Sequence, residues 1–462
     1  MSQPGLVRGL GLFAAMSINI ANIIGTGVFL KARVMTCNVE TPLAVLGTWI
    51  AAGLLVTAGA LAYAELGAMM PRAGGEFVFL TEAYGPRAGF LYGWGYILIG
   101  RAASLGAQAV SAAIFINIIS GGSLSWTAFE IAGFKFGGLQ LAAALCMAGV
   151  TAINCLSVST VGRFATTLTV VKCAIVAAVG LCVFFLTSGN WGHYAMSGAA
   201  GACEGVAAAA RGGLGGWAAA MLGALWGFHG WANLAPMVGE VSDPRRNIPK
   251  AFFGAVVVVG ALYMLANSSY FYALSPVEIA SVPLSSSVAT EAIRKFLGPA
   301  TASVMACGML ISSLGALQSG AVTGARVPFA MARDGMFFRM FGDLAPSTGA
   351  PVKAAILTGV WATLLALMGN YDKLTDYAVF GNWLFFTLTV AAVFKFRKMR
   401  PDADRPYRVT GYPVTPALFL LVAGYLLINT LITTPLSSLI GLGLIAAGLP
   451  FYEYWSRKKG SA

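Results

Sequence analysis

Charge is what this sequence has least of. Only 10% of its 462 residues are Asp, Glu, Lys or Arg, against about 25% in an average soluble domain. That scarcity excludes a water-soluble globule. Histidine is nearly absent, with two in the chain, and no zinc-binding HExxH, GxSxG nucleophile elbow or Walker loop occurs. No catalytic constellation is present, so neither an enzyme nor a resident cofactor or metal is expected. The seven cysteines (Cys37, Cys146, Cys155, Cys173, Cys182, Cys203 and Cys307) include no pair at metal-ligand spacing. Their odd count argues against a disulfide framework, and the expectation is that most pack as small apolar side chains.

What the sequence has in excess is apolar length. Hydrophobic residues make up 58% of it, in runs near the ~20 residues that cross a bilayer. The runs fall at 8–33, 41–69, 87–118, 139–157, 164–187, 217–240, 250–274, 300–332, 352–369, 374–396, 414–433 and 436–455. The first is followed by similar runs and by no small-residue cleavage site, so it reads as a retained span. The fold expected is an all-α polytopic membrane protein with 12 transmembrane helices.

The net charge of +12 does not point to nucleic acid. With a cytoplasmic N-terminus, twenty of the 29 Lys and Arg fall on the cytoplasmic side, seven outside, and two within spans. This bias is the positive-inside rule, and it predicts that both termini are cytoplasmic. The cluster Lys395, Arg397, Lys398, Arg400, Arg405 and Arg408 reads as topology and lipid-headgroup contact.

Two apolar runs are interrupted. The first contains Ile23-Ile24-Gly25-Thr26-Gly27-Val28, and the sixth contains Leu225-Trp226-Gly227-Phe228-His229-Gly230-Trp231. Glycine gives up backbone entropy in a helix, and in hydrocarbon a helix break survives only inside protein or against a watery cavity. A break leaves amides pointing one way and carbonyls the other, suited to a carboxylate and an ammonium. Each interrupted run begins a block of five spans, and such correspondence points to a transporter binding site. Glycines for close helix packing are the plainer reading of either break alone.

Two cations lie inside spans. Lys172 sits within 164–187 and Arg101 within 87–118; each needs carbonyls, carboxylates or a watery path. No Asp or Glu lies mid-span near either break. Glu65 closes the second span and reads as an interfacial carboxylate more than as a partner for a loop arginine. Gln318, on a small-residue face of the eighth span, must find a hydrogen bond.

These residues resemble the amino acid–polyamine–organocation superfamily (APC), and within it the L-type amino acid transporter (LAT) branch. The resemblance is carried by Ile24-Gly25-Thr26-Gly27-Val28-Phe29, by Tyr63-Ala64-Glu65-Leu66-Gly67 with Pro71 and Gly74-Gly75-Glu76, and by Asn154-Cys155 with Ser157-Val158. It continues in Asp243 to Pro249, Phe380 with Asn382-Trp383, and Arg405-Pro406, so it spans almost the whole chain. It implies a LeuT-like fold of two inverted five-helix repeats, 1–187 and 217–396, joined by the link 188–216 and followed by two helices in 397–462. It also implies that amides around Gly25, Thr26 and Gly27 hold a substrate carboxylate, and that carbonyls near Ile23, Trp226, Gly227 and Phe228 take the ammonium. Trp226 matches the gating aromatic, Lys172 the lysine that replaces sodium between spans 1 and 8, and Gln318 a polar pocket position. The family pattern has a small or apolar residue where this chain has His229, so side-chain selectivity does not carry over. The loop 119–138 has no cysteine, so no disulfide-linked ancillary subunit is expected there. The function implied is sodium-independent amino acid transport in the cytoplasmic membrane by exchange. The alternatives are proton-coupled symport through Lys172 or His229, and antiport of basic amino acids or diamines.

Overall fold

The computed structural model describes residues 6, 8–131, 134–199, 201–283, 286–368, 371–433 and 435–460. Their secondary structure is almost wholly helical: α1 (Leu12–Ile23), α2 (Gly27–Val39), α3 (Pro42–Met69), α4 (Glu76–Tyr84) and α5 (Pro86–Ile119) open the chain. After a hairpin come α6 (Gly138–Asn154), α7 (Val158–Leu186), α8 (Gly213–Gly227) and α9 (Pro244–Ala273). Short helices α10 (Pro276–Ala280) and α11 (Val288–Leu297) precede α12 (Thr301–Arg333), α13 (Val352–Met368) and α14 (Tyr371–Met399), and α15 (Val414–Thr433), α16 (Pro435–Ala446) and α17 (Gly448–Gly460) close it. Phe380 lies outside the residues whose side chains are described.

Six of these helices are long and apolar enough to cross a membrane, and the pair α1 and α2, bent by 45° at residues 24–26, adds a seventh. Two shorter helices, α6 and α13, are also apolar. The surface is inverted relative to a soluble protein: Phe185, Leu214 and Leu421 are 81%, 92% and 71% exposed, while Lys172, Glu240 and Gln318 are buried. Hydrocarbon is the solvent that makes such a surface favourable.

Helix starts follow local chemistry. Thr41 precedes Pro42, and its Oγ1 accepts the Ala44 amide at 3.2 Å, satisfying a donor that the first turn leaves free. One element departs from the all-helical expectation. Thr127–Ile131 and Phe134–Gly137 pair antiparallel, with the Phe129 and Phe136 rings stacked 5.1 Å apart.

Two sequence expectations need correction. Cys37 and Cys203 form a disulfide across 166 residues of sequence, so the odd count concealed a real pair. Sequence spacing carries no information about a contact made by a long loop folding back on α2. The segment is further held there by Arg33 Nη1 donating to the Glu204 carbonyl (2.7 Å) and Asn38 Nδ2 to that of Ala210 (2.6 Å). Glu65 is also no mere interfacial carboxylate. Arg397 donates to it through Nη2 (2.7 Å) and Nε (3.2 Å), and the Val409 amide adds a third bond at 2.7 Å. On the same face Glu240 and Arg326 make a buried bidentate pair at 2.7 and 2.9 Å. Glu82 accepts from Arg400 and Arg72; the Arg400 bond pulls its carboxyl below the ordinary value, although partial burial opposes this.

Candidate functional site

The two interrupted runs meet. After Ile23 the chain turns extended at Ile24 (φ −71°, ψ 101°), passes Gly25, and restarts as α2 from an N-cap at Thr26. α8 stops at Gly227, turns through 228–234 with Gly230 at φ 105°, and continues as a 3-10 helix over Ala235–Glu240. The breaks touch at their glycines: a Cβ added to Gly27 would lie 3.0 Å from the Gly227 Cα. Only glycine permits backbones this close.

Between the breaks lies a cavity of about 50 Å³, room for several waters at roughly 10–15 Å³ each. Asn22, Ile23, Gly25, Thr26 and Gly27 line it from the first break, and Trp226, Gly227, His229 and Asn233 from the second. The opposite wall is Arg101, Ser104 and Gln108 from α5, with Ala316 and Gly320 from α12. Among the described residues no Asp or Glu lines it. The first amides of α2 have no intrahelical acceptor, as at any helix start, and they begin at this cavity. Anion binding is what such a terminus does best.

The carbonyls freed by the breaks are largely occupied by protein. Lys172 Nζ donates to the Ala21 carbonyl at 3.0 Å and to the Ile24 carbonyl at 2.6 Å, while a Cβ on Gly315 of α12 would lie 3.1 Å from its Cε. Tyr263 Oη donates to the Gly227 carbonyl (2.8 Å) and the Ile23 carbonyl (3.3 Å), joining both breaks. Ser312 Oγ from α12 reaches the Gly25 carbonyl at 3.2 Å. The Trp226 carbonyl accepts the His229 amide at 3.0 Å.

His229 faces the cavity, its ring stacked on Trp226 at 5.5 Å and 21°. Asn382 Nδ2 lies 3.3 Å from its Nε2; as donor it would place the ring proton on Nδ1. Arg101 Nε donates to Tyr96 Oη at 2.9 Å, and its Nη2 has no partner among the described residues.

Seven of the ten residues expected to bind substrate thus line one cavity, and three do not. Ile24 contributes its carbonyl to Lys172. Phe228 is buried between Trp49 and Tyr263, 5.9 and 5.3 Å from their rings. Gln318 donates from Nε2 to Asn154 Oδ1 at 2.7 Å. Ala316 and Gly320, four residues apart, face the cavity, so Gln318 lies roughly 200° round the helix and packs towards α6. Sequence reading missed Tyr263, which has no local signature, and Asn233, whose Nδ2 lies 3.4 Å from Asn22 Oδ1. Asn22 and Asn233 do flank the breaks, which is the signal that would have found them.

The profile of the amino acid permease family matches residues 10–448. The chain is 30% identical over 461 residues to the serine/threonine exchanger SteT of Bacillus subtilis (strain 168), covering 99% of each chain. It is 30% identical over 456 residues to the large neutral amino acids transporter small subunit 2 of Homo sapiens, covering 98% of this chain and 82% of that one. With the b(0,+)-type amino acid transporter 1 of Mus musculus the identity is 28% over 460 residues, 98% and 88% of the two chains.

Proposed function

The chain belongs to the amino acid permease family, and from that membership we propose that it carries amino acids across the cytoplasmic membrane by sodium-independent exchange. The observation that carries this reading is the meeting of two broken helices around one cavity. Amides at the start of α2 would hold the substrate carboxylate. Carbonyl lone pairs left at Ile23, Trp226 and Gly227 would take the ammonium, and Trp226 would cover the bound substrate. Lys172 would stand as a fixed cation on the carbonyls that a mobile ion would otherwise need.

The fold proposed is twelve spans, with 1–187 and 217–396 as inverted five-helix repeats, 188–216 linking them, and two further helices in 397–462. Alternating access would then rock one repeat-derived bundle against the other. The arginine excess on one face supports cytoplasmic termini. So does the Cys37–Cys203 pair on the other face, because disulfides persist outside the reducing cytoplasm. A disulfide-linked ancillary subunit is not proposed, since 119–138 has no cysteine. Arg101 and the absence of a lining carboxylate among the described residues count against basic amino acids and diamines as cargo, since a second ammonium would meet a guanidinium and no described counter-charge.

The test is uptake of labelled amino acids into sodium-free proteoliposomes without a pH gradient. Uptake is expected only when the vesicles are preloaded with unlabelled amino acid. Equal uptake into empty vesicles would show uniport and overturn exchange.

A further inference from the structure

The turn that follows α3 holds a carboxyl group where water does not reach. Gly74 and Gly75 adopt φ of 109° and 51°, which favours glycine. Added Cβ atoms there would come within 2.6 Å of Ala330 Cβ and 2.5 Å of the Ala235 carbonyl carbon. The turn is thus wedged between the 3-10 half of the second break and α12. It drives Glu76, the first residue of α4, inward until it is 3% exposed, although α4 lies outside the spanning helices.

Glu76 accepts one side-chain hydrogen bond, from Tyr92 Oη of α5 at 3.1 Å. From α3 it faces Tyr63, whose hydroxyl lies against Thr389 of α14; neither hydroxyl makes a hydrogen bond of ordinary geometry. From α5 it also feels Arg101. The buried carboxylates Glu240 and Glu65 are committed to Arg326 and Arg397. No cation among the described residues reaches ion-pair distance of Glu76. A file of polar groups nevertheless connects it to the cavity. The Tyr92 and Tyr96 rings are 5.4 Å apart, and Tyr96 Oη accepts from Arg101 Nε, whose guanidinium lines the cavity wall.

We propose that Glu76 is a proton-binding site that sets the balance between the state of this structure, closed where the turn packs against Ala235 and Ala330, and an opened one. The proposal rests on the alternating-access reading above. A buried carboxyl with one side-chain donor and no paired cation favours its neutral form. Burial outweighs the bonds from the α4 N-terminus and Tyr92 and the pull of Arg101, and pushes the group up to about 7. Opening that parts Gly74 and Gly75 from Ala235 and Ala330 admits water and returns the carboxyl towards its ordinary 4.5. The closed state therefore binds the proton more tightly, so acid favours closure and opening releases a proton. Between about pH 8 and pH 6 the closed-to-open balance shifts by about tenfold.

Two measurements test this on the full-length protein, wild type and Glu76→Gln. Exchange in proteoliposomes, with equal pH on both sides, is expected to fall about tenfold from pH 8 to pH 6. In Glu76→Gln, fixed in the neutral form, it is expected to be slow and flat. Infrared difference titration of the purified protein is expected to show a buried protonated carboxyl lost as pH rises, absent from the variant. An unchanged pH profile in Glu76→Gln, or a titrating carboxyl signal that the substitution leaves intact, overturns the proposal. If no amino acid is carried at all, the transport reading fails, and the infrared titration still decides whether Glu76 binds the proton. Should Glu76→Gln not fold, Tyr92→Phe serves. Losing the donor to the carboxylate must move the midpoint to higher pH, and an unmoved midpoint overturns the assignment.

Discussion

Lys172 shows how one side chain can solve a backbone problem. The break after Ile23 leaves carbonyls inside the protein with no amide to accept, and each such orphan would cost roughly 1–3 kcal/mol. The ammonium meets two of them, at Ala21 and Ile24, and in doing so satisfies its own need for acceptors in a 0% exposed position. Lys172→Ala removes both bonds and leaves the carbonyls bare. If that loss of roughly 1–3 kcal/mol falls on the binding-competent shape of the break, substrate affinity should weaken by about 5- to 150-fold. Apparent affinity measured in the exchange assay checks this, and unchanged kinetics at every pH would remove Lys172 from the site. The need for carbonyl partners was legible from a lysine deep in an apolar run. Which carbonyls it meets was not, because Ala21 and Ile24 lie about 150 residues away in the chain and only packing of α7 on α1 selects them.

At the scale of the element, the candidate site is made by two helices that stop. Their ends are held by groups from elsewhere: Tyr263 on the Ile23 and Gly227 carbonyls, Ser312 on that of Gly25. The contact at Gly27 and Gly227 fixes how closely the ends approach. Gly27→Val places a branched side chain against the Gly227 backbone, an overpacking worth roughly 1–3 kcal/mol, and should part the two breaks. Exchange is expected to be lost while the detergent-purified protein still elutes as a folded particle. A Gly27→Val protein with wild-type turnover would show that the close approach does not matter. Glycines in two corresponding runs announced both breaks. The sequence could not announce that α8 resumes as a 3-10 helix after seven turn residues, since turns stabilised by distant partners leave no local pattern.

At the scale of the molecule, the two faces are held by different chemistry. On the face of the N-terminus, Glu65 with Arg397 and Glu240 with Arg326 tie separate helices together across buried or half-buried ion pairs. Breaking such a pair by removing one partner is costly because it strands the other charge. On the opposite face the Cys37–Cys203 disulfide fastens the segment that precedes α8 to the C-terminal end of α2. Cys203→Ser opens that covalent loop, and a loss of about 2–4 kcal/mol is expected, read as a lower thermal midpoint of the purified protein. A reductant should produce the same drop in the wild type and none in the variant. A wild-type midpoint indifferent to reductant would mean that the pair contributes nothing to stability.

The sequence by itself determined the membrane class, the positions of the long apolar helices, the two breaks and the buried lysine. Each of these is written in local composition: apolar length, glycine inside a run, a charge where hydrocarbon should be. Tertiary structure alone decided that Gln318 turns from the cavity towards Asn154, that Phe228 packs against Trp49 and Tyr263, that Cys37 finds Cys203 and that Glu76 is buried beside Tyr92. Those outcomes depend on which face of a helix meets which neighbour. A rotation of 100° per residue changes that face completely without altering the composition of the run.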